Sequence, residues 1–108
     1  MSLRTASTKP KDDYSKIKIY PNPIKLKEHD RLFFERLMDN NSVKIVSLNG
    51  EKVLETKVYG GGFTWNLMNT YGNKIGPGIY LIFIIDQDGL ESMISKILVI
   101  WLKKLEEL

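Results

Sequence analysis

From Ile17 onward, apolar and polar positions alternate with the two-residue period of a half-buried strand. Ile17-Lys18-Ile19-Tyr20 opens the pattern, and Pro21-Asn22-Pro23 stops it at once. Proline cannot donate to a ladder, so this first strand belongs at a sheet edge or at a crossing between sheets. Val43 to Leu48 is a second clear strand, followed by Asn49-Gly50, a dipeptide that tolerates positive φ at both central positions of a tight hairpin. Lys52 to Tyr59 returns, with Leu54, Thr56 and Val58 on one side and Val53, Glu55 and Lys57 on the other. Gly60-Gly61-Gly62 breaks it, and Phe63-Thr64-Trp65 is a short strand. A long turn region, Asn66 to Gly78, precedes Ile79 to Ile85. That run is apolar on both faces, which places it mid-sheet with one face on the core and the other covered or partly wet. Asp86-Gln87-Asp88-Gly89 turns the chain into a last strand, Glu91 to Ile100.

The stretch Asp30 to Asn40 is ambiguous from its residues. Leu32, Phe33, Arg36 and Leu37 share one helical face with Asp30 as N-cap, yet the same residues also alternate as a strand. With it, about seven short strands separated by turn signals predict an all-β fold, an antiparallel β-sandwich with immunoglobulin-like topology. The sandwich spans 17–100. Residues 1–16 read as leader and linker, the first three resembling an appended cloning leader, with no apolar h-region. Trp101 to Leu108 spaces Leu102, Leu105 and Leu108 three apart. It reads as a turn or two of amphipathic helix or as a frayed end.

Composition narrows the chemistry. The 108 residues suit one domain. The absence of cysteine and the single histidine exclude thiolate zinc sites, disulfide frameworks and histidine-rich metal centres. Net charge is +3, but the lysines are interleaved with acids, as in Lys25, Lys27, Glu28, Asp30 and Arg31, rather than gathered into a nucleic-acid-binding face. No apolar run approaches the ~20 residues of a spanning helix.

Candidate catalytic and ligand residues have plainer readings. Asp86 and Asp88 lack the bidentate glutamate that closes a calcium loop, since position twelve from Asp86 is Ile97. Gly60-Gly61-Gly62 runs into a strand, not into the helix that a phosphate loop requires. His29 sits among charges with no nucleophile beside it, and no serine stands in a nucleophile elbow. Trp65, Tyr80 and Phe63 would serve a sugar platform only if exposed and coplanar, and aromatics on short strands of a small sandwich usually form core. No catalytic, cofactor or metal residue is expected, and a small-molecule ligand is not expected either.

Tyr20-Pro21-Asn22-Pro23, the hairpin Val43 to Val53, Phe63-Thr64-Trp65-Asn66 with Gly72-Asn73-Lys74-Ile75 and Gly78-Ile79-Tyr80-Leu81, and the closing Lys96 to Ile100 stand in order along most of the chain. Together they resemble the C-terminal sorting domains of type IX secretion substrates. They are also similar to the related immunoglobulin-like domain of the flagellar hook-capping protein. The resemblance implies that Asp30 to Met38 is a strand. It also implies a non-catalytic module of a larger secreted or cell-surface protein, acting through secretion or surface-attachment machinery or neighbouring domains. The hook-capping likeness offers a structural assembly role instead, and a carbohydrate-binding sandwich is a third alternative. Where the family carries Asp-Gly after the tryptophan, this chain has Asn66-Leu67. The expected partner-binding residues adjoin the C-terminus: Ile94, Lys96, Leu98, Ile100 and Trp101.

Overall fold

Apolar faces of two sheets meet to form the core. The computed structural model describes residues 14–101. After a 3-10 turn, Tyr14–Lys16, come β1 (Lys18–Tyr20), β2 (Ile24–Lys25), β3 (Leu32–Glu35), β4 (Ser42–Ser47), β5 (Lys52–Lys57), β6 (Gly62–Trp65), β7 (Gly78–Ile85) and β8 (Glu91–Ile100). One sheet has the order β1-β3-β6 and the other β2-β8-β7-β4-β5. The chain is thus the expected all-β sandwich. Residues 1–13 and 102–108, which hold most of the expected leader and all but the first residue of the expected tail, lie outside the described residues.

The extra strand is β2, only two residues long and paired parallel to Val99 and Ile100. Pro21-Asn22-Pro23 carries the chain from one sheet to the other, with cis bonds at Tyr20–Pro21 and Asn22–Pro23. The proline-marked crossing expected from the sequence is therefore where the chain changes sheet. Strand β3 is shorter than the expected run to Met38. Arg36 takes φ 67°, which breaks the pleat and swings Leu37 into the core, and the Leu37 N–H donates to the Gly61 carbonyl at 2.8 Å.

Alternation explains the packing. In β7, Tyr80, Ile82 and Ile84 point inward while Ile79, Leu81, Phe83 and Ile85 are half-buried on the other face. Val43 and Ile45 of β4 and Ile97 and Val99 of β8 lie beside them, and Leu32, Phe34 and Trp65 of the smaller sheet oppose them. Each such side chain contributes about 1.5–3 kcal/mol by leaving water.

Two local departures from simple alternation are informative. The register of β4 and β5 shifts between Ile45 and Val46, so Val53, outward by strict alternation, is buried. Its carbonyl accepts from the Thr70 N–H at 3.0 Å, so the long 66–77 loop folds over it. At Asn49-Gly50 only Gly50 takes positive φ, 92°, and its N–H donates to the Ser47 carbonyl at 2.9 Å. The connection is a three-residue turn closed by a left-handed glycine, not the two-residue turn expected from the dipeptide.

Leu67, where the family carries glycine, has φ 63° and is fully buried. The left-handed backbone costs a leucine about 1–2 kcal/mol, and burying the side chain contributes about 1.5–3 kcal/mol. Burial offsets the strain, and the Leu67 carbonyl accepts from the Ile75 N–H at 2.9 Å to close the loop.

Candidate recognition surface

Beyond the two-residue β2, strand β8 would present an open edge. Asn22 fills that place. Its Nδ2 donates to the Lys96 carbonyl at 3.1 Å, and its Oδ1 accepts from the Leu98 N–H at 3.1 Å. A side-chain amide carries one donor and one acceptor at about the spacing of a peptide group, so Asn22 substitutes for a missing strand residue. The Leu26 N–H then donates to the Ile100 carbonyl at 2.9 Å, continuing the closure.

Of the five expected partner-binding residues, the structure brings Lys96, Leu98 and Ile100 onto one face. They alternate with the buried Ile97 and Val99 and look outward from the five-stranded sheet. Trp101 follows, exposed, with Lys27 Nζ 4.9 Å from its ring centroid. Ile94 is separate. The β7–β8 register shifts between Ile82 and Phe83, which leaves Ile94 as the bulged residue. It packs half-buried beside Tyr14, Ile17 and Ile19 around a shallow cleft of about 220 Å³ at the side of the sandwich. A second cleft, about 260 Å³, lies between β5 and β6 over Leu54, Phe63 and Trp65.

The other sequence candidates are engaged in structure. Trp65 and Tyr80 are buried edge to face, with centroids 6.4 Å apart, so neither can join a sugar platform, and Phe63 packs tilted on Phe34. Trp65 Nε1–H donates to the Met68 carbonyl at 2.8 Å, and the Tyr80 hydroxyl to the Gly76 carbonyl at 2.7 Å. Burial pushes the Tyr80 hydroxyl above its ordinary pKa of 10.0. Asp86 Oδ1 accepts from the N–H groups of Asp88 and Leu90, at 2.9 and 3.0 Å, and so builds the hairpin turn. Gly60 and Gly61 have φ 76° and 84°, and the Gly60 N–H donates to Asp39. His29 Nδ1 accepts from the Lys25 N–H at 2.9 Å, which ties the loop after β2.

On the outer face of the smaller sheet, Tyr20 stacks on Phe33 with centroids 5.5 Å apart and donates its hydroxyl to Glu35. That hydrogen bond, then desolvation and the Glu35 charge, raise the Tyr20 pKa. Among the described residues, no three histidine, aspartate or glutamate side chains gather as metal ligands, and no helix is long and apolar enough to cross a membrane.

Sequence reasoning missed the strand-substituting role of Asn22, although the Pro-Asn-Pro setting marked the place. It also centred recognition on β8, whereas the apolar outer residues of β7 extend the same face. The signal was the run Ile79 to Ile85, apolar at every position rather than at alternate ones.

Comparison with known proteins agrees with this architecture. The model of the secretion system C-terminal sorting domain matches residues 18–100, which is the sandwich from β1 to the end of β8. No curated protein matches the chain. The chain resembles part of PorZ of Porphyromonas gingivalis, an essential bacterial surface component of the type IX secretion system. Identity is 26% over 79% of this chain and 11% of that one, with a TM-score of 0.67. It also has the fold of part of dimeric latent PorU of Porphyromonas gingivalis, at 24% identity over 80% of this chain and 9% of that one, with a TM-score of 0.61. The chain therefore spans about a tenth of the length of these solved proteins. With the fold, the Tyr-Pro-Asn-Pro crossing and the family match all covering the same residues, the chain belongs to the secretion system C-terminal sorting domain family.

Proposed function

We propose that this domain is a non-catalytic sorting module of a larger exported or cell-surface protein, recognised as a folded unit through protein–protein contact by secretion or surface-attachment machinery. The observation that carries this reading is the family match over the whole sandwich, residues 18–100. The packing agrees with it. The inter-sheet space is filled by Trp65, Phe34 and the β7 residues, and the two side clefts are lined by apolar side chains, hydroxyls and one amide. Such a molecule offers a partner its surfaces rather than a reaction site. Lys96, Leu98, Ile100 and Trp101, contiguous at the end of β8, are the part of that surface expected to be read first.

The experiment is export of a reporter carrying residues 14–108 at its C-terminus, in a bacterium with a type IX system. The reporter is expected outside the cell. Truncation after Ser95 removes the core residues Ile97 and Val99 and should abolish export. Truncation after Ile100 leaves every strand intact and isolates the contribution of Trp101 onward. Leu98→Glu changes an exposed residue and should lower export without unfolding the domain. Export unchanged by both truncations and by Leu98→Glu refutes the reading.

A further inference from the structure

We propose that the outer face of the five-stranded sheet, from β8 across β7 and β4 to β5, docks a partner protein that presents an apolar ridge flanked by carboxylates. This rests on the sorting reading and deepens it by naming the surface and the chemistry of its partner.

Register defines the face. Ile79, Leu81, Phe83 and Ile85 run along its middle, turned away from the core. Leu98 and Met93 of β8 pair with Ile79 and Phe83, and Val46 of β4 pairs with Leu81. Leu98 and Met93 are 45% and 54% exposed, so the stripe opens to solvent on its β8 side. Four strands about 4.8 Å apart and roughly 25 Å long enclose on the order of 400 Å². That footprint also holds Lys44, Glu55 and Lys96, so its apolar part is smaller, and the whole is about half the ~800 Å² per partner of a standard interface.

Charge selects the occupant. Lys44 sits within the face beside Phe83, its Nζ 5.5 Å from that ring's centroid, and its bond to Glu91 of β8 crosses β7 at the Phe83–Ile85 end of the stripe, while Lys52, Lys57 and Lys96 stand at the sides with Glu55. Both glutamates are engaged: Glu91 with Lys44 at 2.9 Å and Glu55 with Lys52 at 3.1 Å. Lys57 and Lys96 are exposed and make no ion pair among the described residues. They flank the stripe from opposite edges, one on β5 and one on β8. A second copy meeting this face by two-fold symmetry would lay lysine rims together with the acids already paired, and like charges across an interface are costly. A bilayer requires side chains that reach about 5–10 Å into the headgroup and acyl boundary. The β7 side chains are instead half-buried among their neighbours on a pleated surface. A protein ridge with acidic flanks satisfies both the stripe and the free lysines.

The test uses the chain as it occurs in its own organism, with a photoreactive phenylalanine analogue placed at Phe83, at Leu98, or at Phe33 on the opposite outer face as control. Phe83 and Leu98 are expected to crosslink to one protein, at a segment with apolar residues beside aspartate or glutamate. Phe33 is expected not to. The double variant Lys57→Glu with Lys96→Glu should cut the yield about tenfold or more, and lysine in place of the partner's carboxylates should restore it. If the reversal unfolds the domain, Lys57→Gln with Lys96→Gln takes its place and should cut the yield several-fold. Equal crosslinking from Phe33, adducts with lipid or with a second copy, or a yield indifferent to the charge changes overturns the proposal. Export is scored in the same cells. Export lost on deleting the domain but normal in the face variants leaves sorting standing and refutes the face. Export unaffected by the deletion refutes sorting, and the crosslinks still decide the face.

Discussion

Replacing Asn22 by alanine removes both hydrogen bonds that close the β8 edge, and the expected cost is about 1–3 kcal/mol. Each bond, at 3.1 Å, contributes about 0.5–1.5 kcal/mol net. The site is exposed, so water takes up the freed Lys96 carbonyl and Leu98 N–H, and the loss stays near these net values rather than rising to a full desolvation penalty. Asn22→Asp is the sharper variant. It keeps an acceptor for the Leu98 N–H but sets a carboxylate oxygen against the Lys96 carbonyl, so it is expected to recover less than half of the loss. Urea unfolding followed by tryptophan fluorescence reads the global effect, a midpoint lowered by roughly 0.7–2 M at an m-value near 1.5 kcal/mol/M. Native-state hydrogen exchange reads the local one. The Leu98 amide points at Asn22, while that of Ile97 points at β7, because antiparallel pairing alternates the two directions. In Asn22→Ala, exchange at Leu98 should accelerate at least about tenfold more than exchange at Ile97. An unchanged midpoint, or equal acceleration at both amides, refutes the idea that a side chain stands in for a strand.

Trp65→Ala should cost about 3–5 kcal/mol, because it empties a fully buried site and leaves the Met68 carbonyl without its donor. A loss under about 1 kcal/mol in urea unfolding followed by circular dichroism, which does not depend on the removed tryptophan, would show that Trp65 is not central to the core. For Tyr80, the raised pKa means that the fold favours the protonated phenol. Its contribution is complete below the ordinary value of 10.0 and is lost as pH rises above it. The urea midpoint should therefore fall above about pH 10, more steeply in the parent chain than in Tyr80→Phe. Identical alkaline slopes would refute the assignment.

What the sequence conveyed, and what it did not, follows from the range of the forces involved. Alternation in Val43 to Leu48 and in Glu91 to Ile100 is a local record of which face meets the core, and it located those strands well. The doubly apolar β7 marked the centre of a sheet. Strand β2 escaped notice because two residues carry no period, and Ile24 is buried only where the chain meets Val99 seventy-odd residues later. The bulges at Val53 and Ile94 likewise depend on partners across the sheet, so strict alternation put Val53 on the wrong side and grouped Ile94 with Lys96 and Leu98. Leu67 taught the converse. The sequence marked only that Asn66-Leu67 stands where the resembled family has Asp-Gly; the left-handed backbone at Leu67 emerged from the structure, with tertiary burial offsetting the local penalty.

The same reasoning limits where recognition can occur. A two-sheet sandwich offers a partner its interior, its edges, its two outer faces and the loops at its ends, where Leu48, Tyr59, Tyr71 and Leu90 are exposed. The interior is filled, with Trp65 and Tyr80 in mutual contact. The β8 edge is closed by Asn22 along Lys96 to Leu98, and the β5 edge carries lysine at both ends of its strand, a common guard against strand addition. On the smaller sheet's outer face, Tyr20 and Phe33 are stacked on each other and Glu35 is held by the Tyr20 hydroxyl, so its adhesive groups already serve the domain. The face over β7 carries a longer apolar run, although Phe83 has Lys44 Nζ 5.5 Å from its ring centroid and Glu91 is held by the same lysine. Tyr80, Ile82 and Ile84 already build the core, whereas Ile79, Leu81, Phe83 and Ile85 are half-buried on the outer face beside Leu98, Met93 and Val46. A half-buried apolar stripe flanked by Lys57 and Lys96, which make no ion pair among the described residues, is the feature that the proposed docking of a partner with acidic flanks accounts for.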